Sequence, residues 1–368
     1  MDILGGAGIS RGNMNFIGNM WMALPVAITV EGANIMTRSF QIIGQGLTRC
    51  HPHMLPLISS LQSEEKDAPA KFRTQLFNMV GHVLSNFGLS ITRGIGASLA
   101  TAVRPTNAYQ DPAKLIAYHE AQLLRLSANF AYVSDLALLL GGRLKFEELM
   151  MGRMADAMGA IFLGYSTLHH FSRNHASVSG LAAVAESTML HLEVEAQTAL
   201  REISRNFPKP IYAPFLAGPF GWLAAAGIAP LGEFTRPYRP PNDDLVKEVA
   251  RLLTTPSAVN AMFSQHLYLG ENTRMAELLN ALPVAVEADA IASALRKENR
   301  APSAQEAQLL EKAAAMREAL VEVDVHDGLG IETYAEGHVR PALSSTERRL
   351  AGIAADFGQA QSAAAGAA

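Results

Sequence analysis

The sequence predicts an all-α protein, built as a helical bundle, and three observations carry that prediction. Apolar residues recur at intervals of three and four through most of the chain. Helix-starting and helix-stopping residues bracket those runs. Stretches with the alternation and β-branched content of strands are few. With 368 residues, 49% of them hydrophobic, the chain has ample material for a core and for about two structural units.

The elements follow in order. Residues 1–23 are rich in Gly, Asn and Met and open on Gly5-Gly6-Ala7-Gly8. That turn could cradle a phosphate through its backbone N–H groups, but it lacks a preceding strand, the G-x-G-x-x-G spacing and a lysine, so an ordinary tight turn is the default. Residues 34–46 read as a helix with Ile35, Met36, Phe40, Ile42 and Ile43 as its apolar stripe. An acidic linker, Glu64-Glu65-Lys66-Asp67, precedes helical residues 72–99. Asp111 then caps a helix with Pro112 in its first turn. Leu115, Ile116, Tyr118, Leu123, Leu126, Phe130 and Val133 continue it until Gly141-Gly142 stops it.

Two more long helices are expected over 147–170 and 181–203, the second with Glu193 and Gln197 on a polar face. Residues 207–241 carry Pro208, Pro210, Pro214, Pro219, Pro230, Pro237, Pro240 and Pro241, which rules out a continuous helix. Helices are then expected over 243–253, 275–281, 285–298 and 303–323. The last opens on a Ser-x-x-Glu capping box, Ser303 and Glu306. Residues 346–368 form an alanine-rich, flexible tail.

Bulk properties narrow the function. A net charge of −4 and a pI near 6.3 give no electrostatic case for nucleic acid. The one cysteine, Cys50, excludes an intrachain disulfide and a cysteine-based metal cluster. No metal site is expected. His51, His53, His169, His170 and His175 lack the i,i+4 spacing beside a carboxylate that a zinc site on one helix would use. No G-x-S-x-G elbow supports a serine hydrolase. The N-terminus carries no basic stretch before an apolar one, and no uninterrupted apolar run of about 18 residues occurs. A cytoplasmic location is expected. The Pro/Gly-rich apolar segment 215–231 reads as a buried loop or helical hairpin, with a contact to the inner membrane or to a partner as the alternative.

The residue with the strongest claim to chemistry is Glu31. It follows an apolar run, Leu24 to Val30, and precedes Gly32, which allows close approach of another backbone or a ligand. Desolvation in such surroundings raises a carboxylate toward the range where it exchanges protons near neutrality. On local pattern alone the default for the same residue is a helix N-cap or first-turn acid, which the macrodipole favours.

Several segments together resemble the acyl-CoA dehydrogenases, in particular the large bacterial enzymes of fatty-acid β-oxidation. Asp2-Ile3-Leu4-Gly5-Gly6-Ala7-Gly8 is followed by Ile28-Thr29-Val30-Glu31-Gly32-Ala33-Asn34-Ile35-Met36-Thr37-Arg38. This is similar to the family's Gly-Gly-x-Gly turn, its Tyr-Glu-Gly-Thr and the arginine seven residues after the Glu. Val80 to Asn86, Leu126 to Asn129, Leu139 to Gly142 and Asn206-Phe207-Pro208 resemble the helical region those bacterial enzymes carry after the dehydrogenase core.

The resemblance implies domains at 1–50, the end of the dehydrogenase C-terminal domain, and 51–345, a family-specific helical extension. It implies FAD-dependent conversion of medium- to long-chain acyl-CoA to trans-2-enoyl-CoA, with Glu31 removing the α-proton and a β-hydride passing to the flavin. Gly32 would leave room for the thioester. Gly5, Gly6, Ala33 and Ile35 fall at the positions that meet FAD. Ala33 stands where the family carries Thr, Ile35 where it has a polar residue, and Val30 where it has an aromatic. Electron-transfer flavoprotein is the implied acceptor, and a homo-oligomer the implied assembly. The family's flavin-binding and β-domains are expected to lie upstream, so the 368-residue chain reads as a C-terminal fragment, inactive alone. The competing reading is a non-catalytic helical module that contacts a partner or a membrane.

Overall fold

A computed structural model of the chain describes residues 5–9, 15–27, 30, 35–102, 108–208, 240–263, 267 and 274–321. No strand occurs among the described residues, so the all-α expectation holds. The chain divides into two compact units, one comprising residues 1–29 and 266–368, the other residues 30–265.

In the first unit, Gly5 adopts the left-handed conformation, φ +55°, and its carbonyl accepts the Gly8 amide at 3.0 Å. This is the tight turn expected of Gly5-Gly6, and it leads into one helical turn, α1 (Gly6–Ile9). Asn15 caps α2 (Phe16–Ala23), its side chain accepting the Ile17 and Gly18 amides while its own amide donates to the Gly8 carbonyl.

The larger unit begins with a departure from expectation. Residues Met36–Gln45 wind as a π-helix, continuing into α3 (Gly46–Cys50). The Gly46 amide reaches back five residues to the Gln41 carbonyl. This wide turn stacks Ser39, Ile43 and Leu47 at intervals of four on the inward face. Phe40 packs beside them, but Ile35, Met36 and Ile42 are exposed, so only part of the predicted stripe faces the core.

Next come α4 (Met54–Gln62) and the long α5 (Ala68–Ala102). Asp111 caps α6 (Pro112–Leu138) by accepting the Ala113 and Lys114 amides, with Pro112 at the first turn as expected. Gly141 (φ +53°) turns the chain through a 3₁₀ segment into α7 (Glu148–Asn174), and α8 (Leu181–Asn206) follows. Helices α5 to α8 pack side by side as the bundle. Its main core joins Leu126, Val133 and Leu136 of α6 with Met151, Met154 and Ala157 of α7 and Leu200 and Ile203 of α8. A second cluster forms around Phe171, Leu115, Leu123 and Met189. Helices α9 (Asp243–Leu253) and α10 (Pro256–Phe263) cover the outer side of α8 through Leu245, Leu252 and Ala258. Gly180, at φ +80°, opens α8, and a Cβ there would lie 2.5 Å from Leu252 Cδ2.

The first unit ends in an α-hairpin, α11 (Arg274–Glu298) and α12 (Ala304–Val321). Two helices were expected where α11 is continuous, with Pro283 inside it. Packing along α12, through Ala281, Ala288 and Ala313, offsets the hydrogen bond that proline removes. Asn299 (φ 49°) and the Arg300 amide on the Leu295 carbonyl close α11 as a Schellman motif. The Ser303–Glu306 capping box then opens α12 with reciprocal bonds of 3.3 and 2.8 Å. By length and composition α11 could cross a membrane. It carries Glu277, Glu287 and Asp289, the last paired with Arg317 of α12 at 2.6 Å.

Candidate functional site

Three of the residues singled out for chemistry, Glu31, Gly32 and Ala33, lie outside the described residues, as does segment 215–231. Gly5 and Gly6 are exposed, and open space surrounds the position a Cβ would take at either. Ile35 is 58% exposed. Arg38, the arginine seven residues after Glu31, leaves the π-helix to meet α7: its guanidinium donates to the Gly152 carbonyl at 3.1 Å and to Asp156 Oδ1 at 2.5 Å. Because both partners are about half exposed, this ion pair contributes register more than stability. Together with the buried Ile43 it fixes the segment that follows Glu31 against the bundle.

The bundle interior holds a polar seam along α6. His119, Gln122, Arg125 and Asn129 recur at three and four, so they share one face, and all are buried. His119 is fully enclosed. Its Nε2 lies 2.6 Å from Glu186 Oε2 and its Nδ1 2.6 Å from Glu193 Oε1. Two helical turns separate those carboxylates on α8, and further along Arg125 donates to Gln197. The pairs rise together in number, so α6 and α8 run parallel. Burial alone would push the His119 pKa down, but the charge of Glu193 and the bonds to both carboxylates outweigh it and hold it up to about 9. His119 is therefore an imidazolium at neutral pH, clasped on both nitrogens. The Glu193–Gln197 face, polar by sequence, is turned inward to meet it.

Farther along the seam Ser90 of α5 donates to Asn129 at 2.6 Å. Beyond it the Asp135 carboxylate gathers residues from three places in the chain. Asn86 Nδ2 donates to Asp135 Oδ2 at 2.8 Å, and His82 Nδ1 lies 3.3 Å from the same oxygen. His51 Nε2 lies 3.3 Å from Asp135 Oδ1. His53 stands beside them, its ring 6.0 Å from that of His51 and 5.8 Å from that of His82. Desolvation holds the His51 pKa below its ordinary value despite the Asp135 charge. The sequence expectation of no metal site weighed His51 and His53 by helical i,i+4 spacing and did not consider His82. Here His51 follows α3, His82 is on α5 and Asp135 on α6, so only the packing of these elements brings the three together. Their ligand atoms all lie within 4.8 Å of one another, an arrangement able to hold a metal ion.

No solved structure matches the chain. A family model described as acyl-CoA dehydrogenase, C-terminal, bacterial type, matches residues 48–326, and so covers the bundle, its polar seam and the α11–α12 hairpin. Gly5, Gly6, Glu31 and Ile35 precede the matched stretch. The match takes in well over half of the sequence, and on that ground the chain belongs to the acyl-CoA dehydrogenase family, a family of oxidoreductases, through its bacterial-type C-terminal domain.

Proposed function

We propose that the chain works as the C-terminal helical part of an FAD-dependent acyl-CoA dehydrogenase of fatty-acid β-oxidation, converting medium- to long-chain acyl-CoA to trans-2-enoyl-CoA. The family match over residues 48–326 carries this reading. The spacing of Gly5-Gly6, Glu31 and Arg38 supports it from the preceding residues.

In this reading Glu31 takes the α-proton of the acyl thioester, and Gly32 leaves space for the thioester beside it. FAD, when bound, supplies the acceptor for the β-hydride. Loss of that proton and that hydride leaves the Cα–Cβ double bond. Gly5 and Gly6 suit a turn that meets the adenosine diphosphate half of FAD, because no side chain occupies the space around them. Ala33 and Ile35 offer no side-chain hydrogen bond, so their part is played by backbone groups. Arg38, held by Gly152 and Asp156, sets the direction of the helix that follows the base. Electron-transfer flavoprotein is the acceptor that fits this chemistry. A homo-oligomer fits a Gly-Gly turn that meets the cofactor across a subunit boundary, and the cytoplasm is the location that goes with it.

Replacing Glu31 with Gln in the intact, flavin-loaded enzyme tests the assignment. Flavin absorbance should be retained while dye-linked oxidation of palmitoyl-CoA falls by about 10²- to 10⁴-fold, the usual contribution of a general base. Dehydrogenation that survives the change removes Glu31 as the base.

A further inference from the structure

We propose that His51, His82 and Asp135 form a binding site for a divalent first-row transition metal, with zinc the best match. The case rests first on distance. Two ligand atoms each about 2.0–2.1 Å from a tetrahedral zinc lie roughly 3.3–3.4 Å apart. His51 Nε2 stands 3.3 Å from Asp135 Oδ1 and His82 Nδ1 3.3 Å from Asp135 Oδ2, and the ligand atoms of the three residues lie within 4.8 Å of one another, so a small inward shift completes the site. Two imidazoles and one carboxylate also make a donor set suited to zinc, with a further position left for water.

His51 Nε2 is buried, and its contact with Asp135 Oδ1 at 3.3 Å falls short of a well-formed hydrogen bond. A buried polar atom with so long a contact recovers only part of its lost hydration. A cation between His51, His82 and Asp135 would satisfy this nitrogen and neutralise the carboxylate. His119 is the instructive contrast, since each of its nitrogens already meets a carboxylate and no lone pair remains for a metal.

The surroundings fit as well. Asn86 Nδ2 donates to Asp135 Oδ2 at 2.8 Å and lies 3.3 Å from His82 Nδ1, so it holds both groups, and ligation by His82 would release the second of these contacts. The His82 side chain is 29% exposed, so the site has an entry path, and His53 stands at its rim. Loading has a proton requirement. His51 Nδ1 now accepts the His53 amide at 3.1 Å, which places the ring proton on Nε2. Metal capture moves that proton to Nδ1 and turns the His53 amide to water. A bound ion would tie the turn after α3 to α5 and α6, and so hold the π-helix end of the unit to the bundle.

Calorimetric titration of the chelator-treated full chain with Zn²⁺ tests the site, alongside the visible d–d bands of Co²⁺ as a report of geometry. The expected result is about one equivalent bound at submicromolar concentration, with tetrahedral Co²⁺ bands. His82→Ala should weaken binding by about 100-fold or more. Asn86→Ala, which removes no ligand, should weaken it by about 10- to 100-fold. His169→Ala, on the exposed side of α7, should leave it unchanged. Should His82→Ala fail to fold by circular dichroism, Asn86→Ala and the Co²⁺ spectrum decide. Absence of stoichiometric binding, octahedral Co²⁺ bands, or equal binding by a folded His82→Ala protein overturns the assignment.

Discussion

His119→Leu strikes a fully enclosed charge. The imidazole is fully buried, with a carboxylate oxygen 2.6 Å from each nitrogen. Its pKa of about 9, against an ordinary 6.5, amounts to about 3 kcal/mol in favour of the folded state at 1.36 kcal/mol per pH unit. Removing the imidazole also strands Glu186 and Glu193, and breaking a buried pair in this way costs about 3–5 kcal/mol. For a folding unit of this size, with Tm moving about 2–4 °C per kcal/mol, the melting temperature should fall by about 6–20 °C. Urea unfolding followed by far-ultraviolet circular dichroism measures the loss. The pH dependence is a second, independent reading. A folded-state pKa above the unfolded one gives stability that is fully present below about pH 6.5 and is lost as pH rises through about 9. Wild type should therefore weaken across that window. The triple change to Leu at His119, Glu186 and Glu193 should recover most of the loss, since apolar replacement of a whole buried ionic group is often neutral. A single variant as stable as wild type, or a wild type whose stability is unchanged across that pH window, refutes the reasoning.

Two further outcomes are expected. Gly180→Ala should cost roughly 2–4 kcal/mol in urea unfolding, because the residue sits at φ +80° and its new Cβ would meet Leu252 at 2.5 Å. Ser303→Ala should weaken the first turn of α12 by about 1 kcal/mol, read as faster hydrogen exchange of the Glu306 amide that Ser303 Oγ now accepts.

Much of the helical layout was legible because its signals are local. Asp111-Pro112, Gly141-Gly142 and Ser303-x-x-Glu306 act within a few residues, and each does what its chemistry predicts. The failures arose where packing competes with local preference. Pro283 reads as a break, yet contact with α12 along both sides of it keeps α11 whole. Residues 36–45 read as an α-helix, and their wider winding turns Ile35, Met36 and Ile42 away from the core.

The sequence by itself determined the helical class, the caps and turns, and the motif around Glu31, because periodicity, capping and short spacings are properties of neighbouring residues. The tertiary structure alone decided which polar residues are buried and whom they meet. Glu193 and Gln197 look like an ordinary polar face until α6 closes over them, and His51, His82 and Asp135 share no local pattern. Burial and long-range pairing depend on how helices pack, and no window along the chain contains that.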